Sequence, residues 1–127
     1  MQVRNRAVIV ATAIVAVVLV LFLNVRVAAG HAVLLDASPA AGSTVTGPDL
    51  AITLRYNVRI EAGRSRLSLV GPDNAVIALV IGKQPSPDTL ATSAKDLKPG
   101  AYRLRWQVLA SDGHITRGEV AFSMAAR

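Results

Sequence analysis

The two histidines of this chain are its strongest candidates for metal binding, and the first follows a segment built like a secretory leader. His31 comes directly after Val27-Ala28-Ala29-Gly30, so cleavage after Gly30 would make it the first residue of the mature protein. Its free amine and its own Nδ1 could then close a six-membered ring on one metal ion. A tetragonal site of nitrogen and oxygen donors favours Cu(II), so the cleavage position decides the chemistry.

A second group of candidate ligands is Ser111-Asp112-Gly113-His114, near the other end of the chain. In an extended segment residues two apart point to the same side, so Asp112 and His114 could offer a carboxylate and an imidazole to one ion. The triplet alone is weak support for a metal site, because a simple turn in which Asp112 bonds the backbone has the same sequence. Its combination with His31 is the stronger signal.

Residues 1–30 have the three parts of a secretory signal peptide: a basic start at Arg4 and Arg6, an uncharged apolar run over 7–23, and small residues before His31. An uncleaved membrane anchor is the alternative, because the apolar run is near the short end of the roughly 17 to 25 residues that span a bilayer. A retained anchor would leave His31 without a free amine.

Residues 31–127 are enough for one compact domain and too few for two. This domain has no cysteine, so it has no disulfide and no thiolate for a soft metal. Met124 is its only methionine, too few for a Cu(I) site of several thioethers. Three of the 14 Lys and Arg residues precede His31 and all eight Asp and Glu follow it, which leaves a formal charge of +3. That charge does not indicate nucleic-acid binding.

Short runs of alternating apolar and polar residues, bounded by Pro, Gly, Asp and Asn, predict an all-β domain. Residues 50–56 and 102–108 alternate most clearly, and a nearly continuous apolar run predicts a further strand over 75–81. Tyr102, which follows Leu97-Lys98-Pro99-Gly100, resembles a tyrosine corner. We expect a Greek-key immunoglobulin-like β-sandwich of about seven strands, with Trp106 in the centre of its core.

Four arginines are predicted to point away from the core: Arg55, Arg66, Arg103 and Arg105. They could form a basic stripe that meets an acidic partner or lipid head groups. More commonly, such residues keep the outer face of a sheet soluble.

Together these features resemble the CopC copper-resistance proteins, which are small periplasmic or cell-surface Cu(II) carriers with a Greek-key β-sandwich. The resemblance covers essentially the whole mature chain. The segments similar to the family's start are His31-Ala32-Val33-Leu34, Ser38-Pro39-Ala40 and Gly42-Ser43, and those similar to its closing motif are Ser111-Asp112-Gly113-His114, Gly118 and Phe122.

The resemblance implies that His31 binds Cu(II) through its amine and Nδ1, and that His114 and Asp112 complete the site as imidazole and carboxylate ligands. We expect one Cu(II) ion per chain and an exported monomer in the periplasm or on the outer face of the cytoplasmic membrane. The resemblance also suggests that copper passes to or from a membrane transport protein of the CopD kind.

Two departures from the family pattern affect the site. Many members carry a Met-rich segment that forms a separate Cu(I) site, and this chain has nothing equivalent. A glutamate also often follows the aromatic residue of the second strand by two positions, whereas here Tyr56-Asn57 is followed by Val58. If that glutamate normally supports the site, copper binding here would be weaker or would lack one supporting hydrogen bond.

Three nitrogens and one oxygen suit Cu(II), which binds such donors more tightly than zinc does. The α-amine has an ordinary pKa of about 7.7 to 8 and must be deprotonated, so occupancy should fall as the medium turns acidic. Two other functions stay open: a copper oxygenase that uses the same amine and imidazole brace, and an immunoglobulin-like interaction module without metal. We expect no enzyme, because the few aromatic residues leave little surface for stacking on sugars.

Overall fold

The computed structural model describes residues 5–14 and 31–126 of the chain. Residues 5–14 are α-helical and exposed, whereas most of the predicted leader, with its cleavage position after Gly30, lies outside the described residues. Within the two described ranges no helix is long and apolar enough to cross a membrane.

Within residues 31–126, eight strands form two sheets that pack face to face. The three-stranded sheet has the order β1 (Leu34–Ser38), β3 (Leu50–Tyr56), β6 (Thr89–Ala94). The five-stranded sheet has the order β2 (Thr44–Val45), β8 (Ile115–Met124), β7 (Gly100–Leu109), β4 (Arg66–Val70), β5 (Val76–Leu79), and a short 3-10 turn, Ala62–Arg64, precedes β4. Only the connections from β4 to β5 and from β7 to β8 stay within one sheet, and the other five described connections between strands cross to the opposite sheet. The predicted β-sandwich is confirmed. It has one strand more than expected, because the two-residue strand β2 is too short to show an alternating pattern in the sequence.

The core lies between the two sheets and follows the alternation in the sequence. Every second residue of β3, from Leu50 to Tyr56, is buried, and the same is true of β7 from Tyr102 to Val108. Tyr56 and Trp106 meet edge to face across the sandwich, with ring centroids 5.4 Å apart. Trp106 therefore occupies the central core position that the sequence predicts.

The tyrosine corner predicted at Tyr102 is also confirmed. Its hydroxyl donates a 2.7 Å hydrogen bond to the carbonyl of Lys98, four residues upstream, and its ring stacks on Phe122. This bond ties the start of β7 to the segment that crosses over from the other sheet.

One sequence expectation is confirmed with narrower bounds and one needs correction. The strand predicted over 75–81 is present as the shorter edge strand β5, in which Val76 and Ile77 are exposed, because an apolar composition does not reveal that a strand lies at a sheet edge. The predicted arginine stripe is divided between the sheets: Arg55 is on β3, whereas Arg66, Arg103 and Arg105 are on the five-stranded sheet.

Arg117 lies beside Arg66, Arg103 and Arg105 on the outer face of the five-stranded sheet. Glu119 forms ion pairs with both Arg103 and Arg105. A shallow groove of about 440 Å³ on this face is lined by Arg66, Arg105 and Arg117 among others. The lining of this groove includes neither histidine nor Asp112, so it is separate from the candidate ligands.

Two features of the fold determine where the candidate ligands lie. β7 and β8 pair over ten residues each, from Gly100 opposite Met124 to Leu109 opposite Ile115, so the hairpin turn at 111–114 projects from a long ladder. A hydrogen bond from the Ser111 N–H to the Arg59 carbonyl holds this turn against the start of the β3–β4 connection. Residues 31–33 lie just before β1 and contact the residue that follows β3.

Candidate metal centre

His31 is exposed, but the two residues after it are held to the domain. Ala32 is 3% exposed and belongs to the core. Val33 exchanges two hydrogen bonds with Asn57: its N–H donates to Asn57 Oδ1 at 2.7 Å, and its carbonyl accepts from the Asn57 N–H at 3.0 Å. The Asn57 Nδ2 donates a long, 3.5 Å bond to the His31 carbonyl. The start of the domain is therefore fastened to the end of β3.

The segment carrying Asp112 and His114 is a tight turn, one of the two conformations that the sequence leaves open, and is not extended. Gly113 has φ +89°, a left-handed conformation that glycine adopts without strain. Its N–H donates to the Ala110 carbonyl, and the Ala110 N–H donates to the His114 carbonyl, each at 2.9 Å. The two side chains meet because the chain turns at Gly113, not because residues two apart share one face of a strand.

The two oxygens of Asp112 have different partners. Oδ1 accepts a 3.0 Å hydrogen bond from the His114 N–H and closes the turn, while Oδ2 lies 3.1 Å from Nδ1 of the His114 imidazole. The turn and the carboxylate–imidazole pair, which the sequence offers as competing interpretations, are therefore both present.

The structure brings all three sequence-predicted site residues together. The rings of His31 and His114 are 5.1 Å apart, centroid to centroid, and meet edge on at 67°. The His114 side chain is 50% exposed and the Asp112 side chain 25% exposed, so the cluster lies open at the surface. Two candidate nitrogen ligands and one candidate oxygen ligand, from opposite ends of the described domain, thus share one small region.

The surroundings of Asp112 favour its charged form. The backbone N–H of His114 is the largest cause, the His114 imidazole adds a second hydrogen bond, and together with the nearby histidine charges they hold the pKa of the carboxyl below its usual value. Asp112 therefore carries a negative charge beside two imidazoles at neutral pH, an arrangement that attracts a cation.

The cluster is not a closed coordination sphere. Among the described residues, no three His, Cys, Asp or Glu side chains already surround one point as a preformed metal site would. Asp112 and His114 are engaged with each other through Oδ2 and Nδ1. The backbone amine of His31, which the sequence predicts as a further ligand, becomes available only when the peptide bond to Gly30 is cut.

Sequence reasoning missed Asn57. Its role depends on contacts with residues 24 and 26 positions away, which neither periodicity nor a local motif reveals. The only feature of the sequence that could have pointed to Asn57 was its position directly after β3, where the pairing with β1 ends. Val58, which stands where family members often have a glutamate, is half-buried and packs against the core, so it adds no ligand or hydrogen-bond donor to the site.

Comparison with known proteins identifies one matching domain family and related proteins that cover most of this chain. The CopC domain family matches residues 34–125. Protein YobA of Escherichia coli (strain K12) is 37% identical over 97 residues, which span 74% of this chain and 78% of that protein. Copper resistance protein C of Xanthomonas campestris pv. juglandis is 28% identical over 102 residues, covering 74% of this chain and 80% of the relative.

The three-dimensional structure is also similar to that of a CopC protein. The crystal structure of CopC from Methylosinus trichosporium OB3b superimposes with a TM-score of 0.69 at 30% identity, over 74% of this chain and 93% of that one. The family match spans most of the chain, including both the turn at Asp112 and His114 and the strands that position it. The chain belongs to the CopC family.

Proposed function

We propose that this chain is an exported Cu(II) carrier with a single copper site formed by His31, Asp112 and His114. The observation that carries the proposal is the meeting of the two imidazole rings, 5.1 Å apart, beside an ionised carboxylate. Relatives named CopC and copper resistance protein C point to the same metal.

The donor set accounts for the choice of copper. After removal of residues 1–30, His31 offers its amine and its Nδ1, His114 offers an imidazole nitrogen, and Asp112 offers a carboxylate oxygen. Three nitrogens and one oxygen suit the tetragonal preference of Cu(II), and affinity for such donors peaks at copper among the divalent metals. The domain has no cysteine and one methionine, Met124, which is buried, so Cu(I) has no soft site here.

A carrier fits the surface of the domain better than a copper oxygenase does. An oxygenase acting on polysaccharide needs exposed aromatic rings to grip the polymer. The four aromatic residues of the described domain are all less than 9% exposed: Tyr56, Tyr102, Trp106 and Phe122. Their burial supports a protein that holds and releases copper and does no chemistry with it.

The carrier acts outside the cytoplasmic membrane, in the periplasm or on its outer face, as a monomer. An open site with two exposed imidazoles suits release of the ion to another protein, and a CopD-like membrane transport protein is the proposed partner. The formal charge of residues 31–127 is only +3, and every aromatic ring of the described domain is buried, so nucleic acid is an unsuitable partner.

Copper titration of the protein beginning at His31 tests the proposal. We expect one tightly bound Cu(II) per chain, weaker binding of zinc, and no peroxide-dependent turnover of polysaccharide. His114→Ala should weaken Cu(II) binding by at least about 100-fold, because a direct ligand costs more than the 10 to 100-fold typical of a supporting residue.

The matched control is Asp36→Asn, which removes an exposed carboxylate of β1 and should bind copper like the unmodified protein. Absence of Cu(II) binding by the unmodified protein would favour the interaction module. Turnover with peroxide would favour the oxygenase.

A further inference from the structure

Asn57 contacts the segment that carries His31 with both its side chain and its backbone. The hydrogen bond from the Val33 N–H to Asn57 Oδ1 is short, at 2.7 Å, and the bond from the Asn57 N–H to the Val33 carbonyl is 3.0 Å long. Because the backbone N–H of Val33 can only donate, the side-chain atom facing it must be the amide oxygen. The amide nitrogen is thereby directed toward the His31 carbonyl, 3.5 Å away.

These contacts act where the regular ladder gives no support. Pairing between β1 and β3 begins with Leu34 opposite Tyr56, and the register shifts between Leu34 and Asp36. Residues 31–33 lie beyond that pair, and chain ends of this kind are poorly ordered unless something ties them down. Asn57, with the burial of Ala32, supplies that tie.

We infer that Asn57 is a positioning residue for the copper site, which holds the first residues of the mature domain beside His114 before the metal binds. Its effect on copper rests on the proposed function, but the contact itself belongs to the metal-free protein. Ordering a backbone residue costs conformational entropy. Since Asn57 has already ordered residues 31–33, copper binding does not bear that cost, and affinity is higher.

The inference assigns Asn57 a role through the backbone and not as a ligand. Its oxygen is occupied by the Val33 N–H, and its amide nitrogen, which faces the His31 carbonyl, is a donor with no lone pair for a metal. Removing it should loosen the segment that bears His31 and leave the ligand atoms themselves unchanged.

The test uses Asn57→Ala in the protein that begins at His31. In the metal-free variant the Val33 amide should exchange with solvent at least about tenfold faster than in the unmodified protein, because its acceptor is gone. The Cu(II) dissociation constant should rise about tenfold, at the lower end of the range for residues that support a metal ligand. The electron paramagnetic resonance spectrum of bound Cu(II) should be unchanged, since the donor atoms are the same.

Two matched variants make the result specific. Thr53→Ala removes an exposed polar side chain from the same strand, β3, and should alter neither Val33 exchange nor copper affinity. Asn57→Asp keeps an acceptor for the Val33 N–H and should keep that amide protected in the metal-free protein. Since the Asn57 N–H still bonds the Val33 carbonyl in each variant at 57, the domain should remain folded.

The inference is overturned if Asn57→Ala leaves Val33 exchange unchanged, or if it speeds exchange while Cu(II) binds as tightly as before. Failure of the proposed function looks different. In that case the unmodified protein binds no Cu(II), and the exchange of Val33 in the metal-free proteins still decides whether Asn57 orders residues 31–33.

Discussion

At the scale of single residues, Asp112 combines a structural and a chemical task through its two oxygens. Oδ1 closes the turn on the His114 N–H, and Oδ2 faces the His114 imidazole. Its pKa is lowered chiefly by that backbone N–H, so the turn further favours the charged form of the carboxylate. The two tasks can be separated by substitution, since an amide retains an acceptor oxygen and loses the charge.

Asp112→Asn should therefore weaken Cu(II) binding by at least about 100-fold, since the loss of a direct ligand exceeds the 10 to 100-fold typical of a supporting residue. The free energy of unfolding should change little, because the turn keeps its acceptor. Asp112→Ala should show a similar loss of copper affinity and, in addition, a free energy of unfolding lower by about 1 kcal/mol, since the His114 N–H loses its partner. Copper titration and chemical denaturation measure the two effects. Unchanged copper affinity in both variants would reduce Asp112 to a turn residue.

At the scale of elements, the β7–β8 hairpin and the tyrosine corner set the position of the site. The hairpin carries the turn at 111–114, and the corner fixes the start of β7 through the Tyr102 hydroxyl. The chain has a second buried tyrosine, Tyr56, whose hydroxyl has no hydrogen-bond partner among the described residues. Burial raises the pKa of Tyr56, so its hydroxyl stays neutral.

Removal of one hydroxyl from each tyrosine should have opposite consequences. Tyr102→Phe should lower the free energy of unfolding by about 1 kcal/mol, because the Lys98 carbonyl loses its donor. Tyr56→Phe should be neutral or stabilising, because it removes a buried polar group that makes no bond. Urea denaturation of both variants checks this, and an unchanged free energy of unfolding in Tyr102→Phe would show that the corner bond adds no stability.

Gly118, in β8, is a position at which a side chain cannot fit without moving its neighbour. A Cβ there would lie 2.2 Å from Cζ2 of Trp106, its partner across the β7–β8 ladder. Gly118→Ala should therefore force the indole to move and lower the free energy of unfolding by about 1 to 3 kcal/mol. Gly63→Ala, whose Cβ meets no atom within 4 Å, is the control and should be neutral or slightly stabilising.

Tryptophan fluorescence should change for Gly118→Ala and not for Gly63→Ala, because Trp106 is the only tryptophan in the chain. If both variants unfold at the same urea concentration with the same fluorescence, the Gly118–Trp106 contact does not constrain the core.

At the scale of the whole molecule, the sandwich brings residue His31, at the start of the described domain, to the turn near its end. How much of this the sequence can predict depends on the range of the contacts. β3 and β7 bury alternate residues, so their faces and the position of Trp106 follow from period-two patterning. The exposure of β5 could not be predicted, because the sheet order that makes it an edge is a property of the topology.

The same distinction applies to the site. His31, Asp112 and His114 could be selected from residue type and position, since few other side chains in the chain suit copper. The turn at Gly113 was one of two conformations left open, because Asp112-Gly113-His114 is compatible with both a turn and an extended segment. Asn57 could not be found at all, because it acts on a segment more than 20 residues away.

The central claim is that cutting the chain before His31 creates the copper site, and the most direct measurement compares two versions of the domain. One begins at His31, and the other carries a single glycine before it. Cu(II) affinity is measured for both by competition titration at the same pH. Because the added residue leaves both imidazoles and Asp112 in place, only the chelate between the His31 amine and Nδ1 differs. We predict that the extended protein binds Cu(II) about 100-fold more weakly or worse, beyond the 10 to 100-fold typical of a supporting residue. Equal affinity of the two proteins would contradict the account.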